Sequence, residues 1–61
     1  MTYKEMIQEL VECGEIEGNE NISLFDYNGW PVGTEMLVEE IIGVAHKDDK
    51  NVSITIVPSV D

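Results

Sequence analysis

The 61-residue sequence contains no arginine, three lysines, one histidine and one cysteine. Because Cys13 has no second cysteine to pair with, no disulfide can form within the chain. No Cys/His cluster has the spacing of a metal site, so we expect neither a metal nor a cofactor. Chains this short bury only about 60% of their unfolded surface and usually need a disulfide, a metal or a partner subunit. We therefore expect one domain, residues 1–61, that forms a homo-oligomer.

Positive charge is scarce throughout the chain. Thirteen acidic residues against three lysines give a formal net charge of −10. Neutralising phosphates requires clustered Lys and Arg, so the sequence predicts no direct binding to nucleic acid or to an anionic membrane. No basic segment followed by an apolar one opens the chain, and no run of 18 apolar residues occurs in it. We expect a cytoplasmic protein.

Residues suited to catalysis are few as well. An enzyme needs a nucleophile with a positioned base, a carboxylate pair in a cleft, or a metal. Cys13 lies near a predicted helix C-terminus, where the partial negative charge disfavours a thiolate. Neighbouring carboxylates are expected by chance in a chain this acidic, so they do not indicate a catalytic site. We expect a binding protein without catalytic residues.

The N-terminal segment has the pattern of a capped amphipathic helix. Thr2 and Glu5 form the sequence of a capping box, and Gly14 is a natural C-terminal stop. Apolar residues follow helical spacing between these signals, at Tyr3, Met6, Ile7, Leu10 and Val11. The pattern predicts a helix over residues 3–13.

The remaining segments predict strands. Residues 22–27 are rich in β-formers, and Asn28-Gly29 favours a two-residue hairpin turn that places Tyr27 beside Trp30. Residues 41–46 and 52–57 predict a second hairpin. A five-residue turn between them would place His46 opposite Val52, Val44 opposite Ile54 and Ile42 opposite Ile56. Residues 34–40 fit either a helical turn or an extended segment, and we treat them as irregular. The predicted fold is α+β, one N-terminal helix packed on a small antiparallel meander of three to four strands.

Two sets of residues are candidates for binding. One consists of aromatic side chains suited to stacking on a base, Trp30 and Tyr27, with phosphate ligands at Lys47, Lys50, His46 and Lys4. An alternative for Trp30 is that it closes the core. The other set is the acidic row, Glu5, Glu9 and Glu12, which shares one face of the predicted helix. A solvated face is the usual explanation for such a row, and docking on a basic protein is the alternative.

The element order resembles that of many small proteins encoded by bacteriophages. It consists of a capped helix (TYKEMIQEL), a polar spacer, a strand opening an NG turn (ISLFDYNG), an EEIIGV strand and a closing VSITIV strand. The resemblance implies an accessory protein that counters defence in the cytoplasm of an infected bacterium. Some such proteins are oligomeric sponges that sequester cyclic nucleotide signals, and others are acidic inhibitors that fill a nucleic-acid groove on a host defence protein. The paired aromatics slightly favour the sponge.

Overall fold

The computed structural model describes residues 1–59. Its elements are helix α1 (Tyr3–Glu12) and strands β1 (Asn21–Asp26), β2 (Val38–His46) and β3 (Asn51–Pro58). One N-terminal helix and a three-stranded sheet make an α+β arrangement, which confirms the predicted fold class.

Helix α1 begins and ends on the predicted signals. The Thr2 hydroxyl accepts from the Glu5 N–H at 3.1 Å, and the Glu5 carboxylate accepts from the Thr2 N–H at 2.9 Å, so the capping box is complete. At the other end Gly14 adopts a φ of 78°. The N–H groups of Gly14 and Glu15 then donate to the carbonyls of Val11 and Leu10, the pattern of a Schellman motif.

The core lies between α1 and one face of the sheet. Met6 and Leu10 of the helix are 0% and 6% exposed. Alternate residues of β3 meet them, and each such buried aliphatic side chain contributes about 1.5–3 kcal/mol relative to exposure. The buried cluster consists of Met6, Leu10, Ile16, Leu24, Val38, Val52, Ile54 and Ile56.

The strand order differs from the predicted meander. The sheet runs β1-β3-β2, with β1 parallel to β3 and β2 antiparallel to β3, so it is mixed and not wholly antiparallel. The physical reason lies in β3, whose alternate residues are fully buried and which carries no charge. Such a strand is most stable at the centre of the sheet, where strands on both sides pair with its backbone. Pro31 has no N–H to donate and limits the return segment after β1 to one bridge, with Phe25.

The turn after β1 is one residue longer than predicted. The N–H of Asp26 donates to the carbonyl of Trp30, so Tyr27, Asn28 and Gly29 form a three-residue loop. Asn28 keeps a negative φ and Gly29 alone takes a positive one, 85°. Tyr27 therefore does not face Trp30 as a strand pair. A three-residue loop with Gly in the left-handed region is the next commonest hairpin connection.

The second hairpin follows the predicted register at its turn and departs from it further on. His46 lies opposite Val52 and Val44 opposite Ile54, as expected. A bulge between Ile41 and Gly43 then shifts the pairing, so that Ile41 lies opposite Ile56 in place of Ile42. Residues 34–36 form turns and bends, and β2 begins at Val38, three residues before the predicted strand.

Both outer edges of the sheet are obstructed. Residues 30–32 lie along the outer edge of β1, where the Val32 N–H donates to the Leu24 carbonyl. β2 carries two register irregularities and the charges of Glu39 and Glu40. At its start, the Met1 ammonium and carbonyl both bond to the backbone of Val38. Bulges and charges of this kind hinder pairing with a further strand.

Candidate functional site

The most exposed aromatic side chains lie on the aromatic turn, residues 26–30. Trp30 is 69% exposed and Tyr27 is 64% exposed, so Trp30 does not close the core. The turn itself is well fixed. Oδ1 of Asp26 accepts from the N–H groups of Asn28 at 2.9 Å and Trp30 at 3.0 Å. The structure thus presents two aromatic side chains on an ordered backbone, which reduces the entropy lost on binding.

The predicted phosphate ligands lie far from that turn. Lys47 and Lys50 belong to the lysine hairpin, residues 46–51, whose Lys50 carbonyl accepts from the N–H of Asn21 at the start of β1. The aromatic turn follows Asp26 at the other end of the same strand. Five residues of strand separate the two ends by about 17 Å at roughly 3.3 Å per residue. Within one chain the structure does not bring the stacking residues and these lysines together.

His46 lies among carboxylates. It shares the acidic concavity, a depression of about 340 Å³, with Gly14, Ile16, Glu15, Glu17, Glu20 and Asp49. The oxygens of Glu20 accept from the N–H groups of Glu17 and Gly18, both at 2.8 Å. Chiefly the bond from Glu17 lowers the pKa of Glu20 below its ordinary value. A surface this rich in negative charge opposes phosphate binding at His46.

The acidic row lies on one side of α1, as the spacing predicts. Glu5, Glu9 and Glu12 line one shallow depression, whose volume is about 450 Å³, together with Met1 and Gln8. Glu5 also serves the capping box, and its hydrogen bonds with Thr2 lower its pKa. Together the three carboxylates form a strip of negative charge along about two helical turns.

An apolar groove on the other side of α1 was not expected from the sequence. It has a volume of about 740 Å³ and lies between the helix and the segment that leads into β1. Its apolar walls are Tyr3, Ile7, Ile16 and Ile22, and Lys4, Gln8, Gly18 and Glu20 complete it. The available signal was the pair of apolar residues, Ile16 and Ile22, that bracket an otherwise polar spacer. Lys4 is the one predicted phosphate ligand in this groove.

The part of the chain that the structure describes contains neither a metal-binding cluster nor a membrane-spanning helix. Within residues 1–59, no group of three or more His, Cys, Asp or Glu side chains is arranged to hold a metal ion. None of the described helices has the length and apolar character needed to cross a membrane. Cys13 is exposed at the C-cap of α1.

Comparisons of this chain with protein-family models, with curated proteins and with solved structures found no match.

Proposed function

We propose that this protein acts by binding, without catalysis, and that its acidic row docks on a basic groove of a host protein that handles nucleic acid. The observation that carries the proposal is the alignment of Glu5, Glu9 and Glu12 along one surface of α1. In a chain of net charge −10, that strip offers a regular series of carboxylates to a surface built for phosphates. The setting is that of a phage-type accessory protein countering host defence in the bacterial cytoplasm.

The test is capture of host proteins on the immobilised chain, followed by elution with duplex DNA. A protein whose nucleic-acid groove is filled by the acidic row must be released by excess DNA, because both compete for one surface. Capture must also weaken steeply with ionic strength, since charge steers the association.

Two variants of equal charge make this test specific. Glu9→Gln/Glu12→Gln removes two charges from the acidic row and leaves the capping box intact. Glu39→Gln/Glu40→Gln removes two charges from β2. Loss of capture in the first variant alone supports the proposal. A captured protein that DNA does not release, or equal losses in both variants, contradicts it.

A second candidate is the oligomeric sponge for a cyclic nucleotide, which the exposed aromatic turn favours. Trp30 or Tyr27 would stack on a base, worth about 1–3 kcal/mol by comparison with other base-stacking sites. Because Lys47 and Lys50 lie at the opposite end of the sheet, a neighbouring subunit has to supply them. The sponge therefore requires a homo-oligomer in which the two ends meet.

This requirement gives a sharp test. Cyclic di- and trinucleotides are titrated while the fluorescence of Trp30, the only tryptophan, and the melting temperature are followed. Lys50→Ala should abolish both responses. Trp30→Ala removes the fluorophore and is therefore followed by melting temperature, where it should abolish the shift. Ile42→Ala, at a residue of β2 that is 52% exposed, is the control. Mixing the two inactive variants should restore part of the binding, because some mixed interfaces regain both residues. Absence of any response to the panel, or no restoration, counts against the sponge.

A further inference from the structure

The residues that line the apolar groove suit the apolar side chains of a partner better than they suit a polar solute. Ile16 is 5% exposed, whereas Tyr3, Ile7 and Ile22 are only partly buried, so the groove has apolar walls open to solvent. Its volume of about 740 Å³ lies in the range of ligand sites, about 300–1,000 Å³. Partly covered apolar walls of this kind gain stability when another apolar surface covers them.

The surfaces on both sides of the groove are acidic. Gln8 lines the groove and also the surface of the acidic row, so the two are continuous across α1. Ile16, Gly18 and Glu20 line the groove, and Ile16 and Glu20 also line the acidic concavity. Lys4 is the single cation of the groove, opposed by Glu20 in the same walls. A partner that covers the groove therefore meets carboxylates on either side of an apolar strip.

The partner's backbone is constrained by the sheet. Addition of an extended segment is hindered at the β1 edge by residues 30–32 and at the β2 edge by bulges and charges. A helix needs no backbone partner and presents apolar residues at i, i+3, i+4 and i+7 to a groove. Charge complementarity requires that its remaining residues be basic.

We propose that the apolar groove receives the apolar face of a basic amphipathic helix, whose Lys and Arg residues meet the carboxylates on both sides. This inference rests on the proposed function and adds to it the chemistry of the partner. The acidic surfaces would supply attraction, and Ile7, Ile16 and Ile22 would supply selectivity for a helix with correctly spaced apolar residues.

The experiment uses two synthetic peptides of about 18 residues, or about five helical turns. Both contain the same numbers of Lys and Leu. One has Leu at helical spacing, and the other has the same residues in an order that forms no apolar face. Binding of each fluorescein-labelled peptide to the full chain is followed by anisotropy at low ionic strength. The amphipathic peptide should bind at least about tenfold more tightly than its scrambled partner.

Variants locate the contact. Ile7→Gln and Ile22→Thr should each reduce that preference, and Ile42→Thr, an exposed site on β2, should not. Far-UV circular dichroism confirms that each variant folds. If one of the two groove variants misfolds, the other still tests the inference. A preference that persists in both groove variants would overturn the inference.

The same data separate the two proposals. Equal binding of both peptides, lost in Glu9→Gln/Glu12→Gln, refutes a role for the groove and leaves the acidic docking surface standing. Binding of the amphipathic peptide alone, unchanged in that acidic-row variant, refutes the acidic row and leaves the groove standing. No binding of either peptide at low ionic strength refutes both.

Discussion

Single residues of this chain show that exposure follows position more than side-chain type. Trp30 is 69% exposed although its backbone is fixed on both sides by Asp26. Val38 is 0% exposed although it belongs to the segment 34–40 that we treated as irregular, because the N-terminus bonds to it and the core covers it. The exposure of Trp30 agrees with its position in the sequence, at a turn and beside a proline. The burial of Val38 depends on contacts with distant residues and could not be predicted locally.

We predict that Trp30→Ala lowers the free energy of unfolding by about 1 kcal/mol or less, because little of the side chain leaves water on folding. The matched control is Ile54→Ala, at a residue that is 0% exposed, for which about 2–5 kcal/mol is expected. Urea unfolding followed by far-UV circular dichroism measures both. A Trp30→Ala chain that fails to fold at room temperature would assign the tryptophan a structural role.

Two glycines should respond oppositely to alanine. Gly29 has a φ of 85°, and a Cβ there meets nothing within 4 Å, so Gly29→Ala reports backbone strain alone. We expect a loss of about 1 kcal/mol or more. Gly43 also has open space around a Cβ but no positive φ. Gly43→Ala should be neutral or stabilising by up to about 1 kcal/mol. Equal losses in the two variants would contradict the conformational explanation.

Individual elements were predictable where their signals are local. The capping box and Gly14 determine both ends of α1, and a five-residue turn set the register at His46 and Val44. The strand order was not predictable, because it depends on competition for the centre of the sheet between segments far apart in sequence. The bulge at Ile42 likewise has no sequence signal stronger than Gly43. As a result, the sequence could not show that the aromatic turn and the lysine hairpin lie at opposite ends of β1.

We predict that Thr2→Ala costs about 1 kcal/mol, with a range of about 0.5–2, because the Glu5 N–H loses its acceptor. Gln8→Ala is the control inside the same helix, where a better helix former should leave stability unchanged or slightly raised. Thermal unfolding of both variants by circular dichroism provides the comparison. A Thr2→Ala chain as stable as the parent would show that the capping box contributes nothing to the fold.

Acid should loosen the turns and the helix cap. Hydrogen bonds lower the folded-state pKa of Glu5 and Glu20 from 4.5, and that of Asp48 from 3.8. For Asp48 the first cause is the N–H of Lys50, which donates to Oδ1 at 2.8 Å. The folded-state pKa values of these three groups lie below their unfolded values. The stability that the groups contribute is therefore fully present above the unfolded pKa, and it is lost as pH falls through the folded-state pKa.

The resulting prediction concerns the interval below about pH 4.5. The urea midpoint of the parent chain should fall as pH is lowered through that interval. In Glu20→Gln/Asp48→Asn the fall should be smaller, since two of the groups responsible no longer titrate. Glu39→Gln, at an exposed glutamate of β2, is the control and should follow the parent. Identical pH profiles in all three chains would contradict the assignment.

At the scale of the whole molecule, net charge and exposed apolar surface have opposite effects on self-association. A net charge of −10 on so small a chain repels a second copy, whereas exposed apolar side chains attract one. Met1, Met36 and Leu37 are 42%, 44% and 46% exposed, and the backbone hydrogen bonds between Met1 and Val38 bring Met1 next to the segment that carries the other two. We call these three residues the terminal patch. Self-association through this patch is the form of homo-oligomer that the exposed surface favours.

Salt should therefore act in opposite directions on the two kinds of binding. Raising ionic strength to about 1 M shortens the screening length to about 3 Å, which weakens repulsion between copies and attraction to a basic partner alike. Sedimentation velocity should show more self-association at high salt than at low salt, while capture of a basic partner declines. Leu37→Glu should abolish the self-association, and Ile42→Glu, an equal change of charge at a residue 52% exposed, should retain most of it. A strict monomer at high micromolar concentration in 1 M salt would remove the homo-oligomer, and with it the shared site that the nucleotide sponge requires.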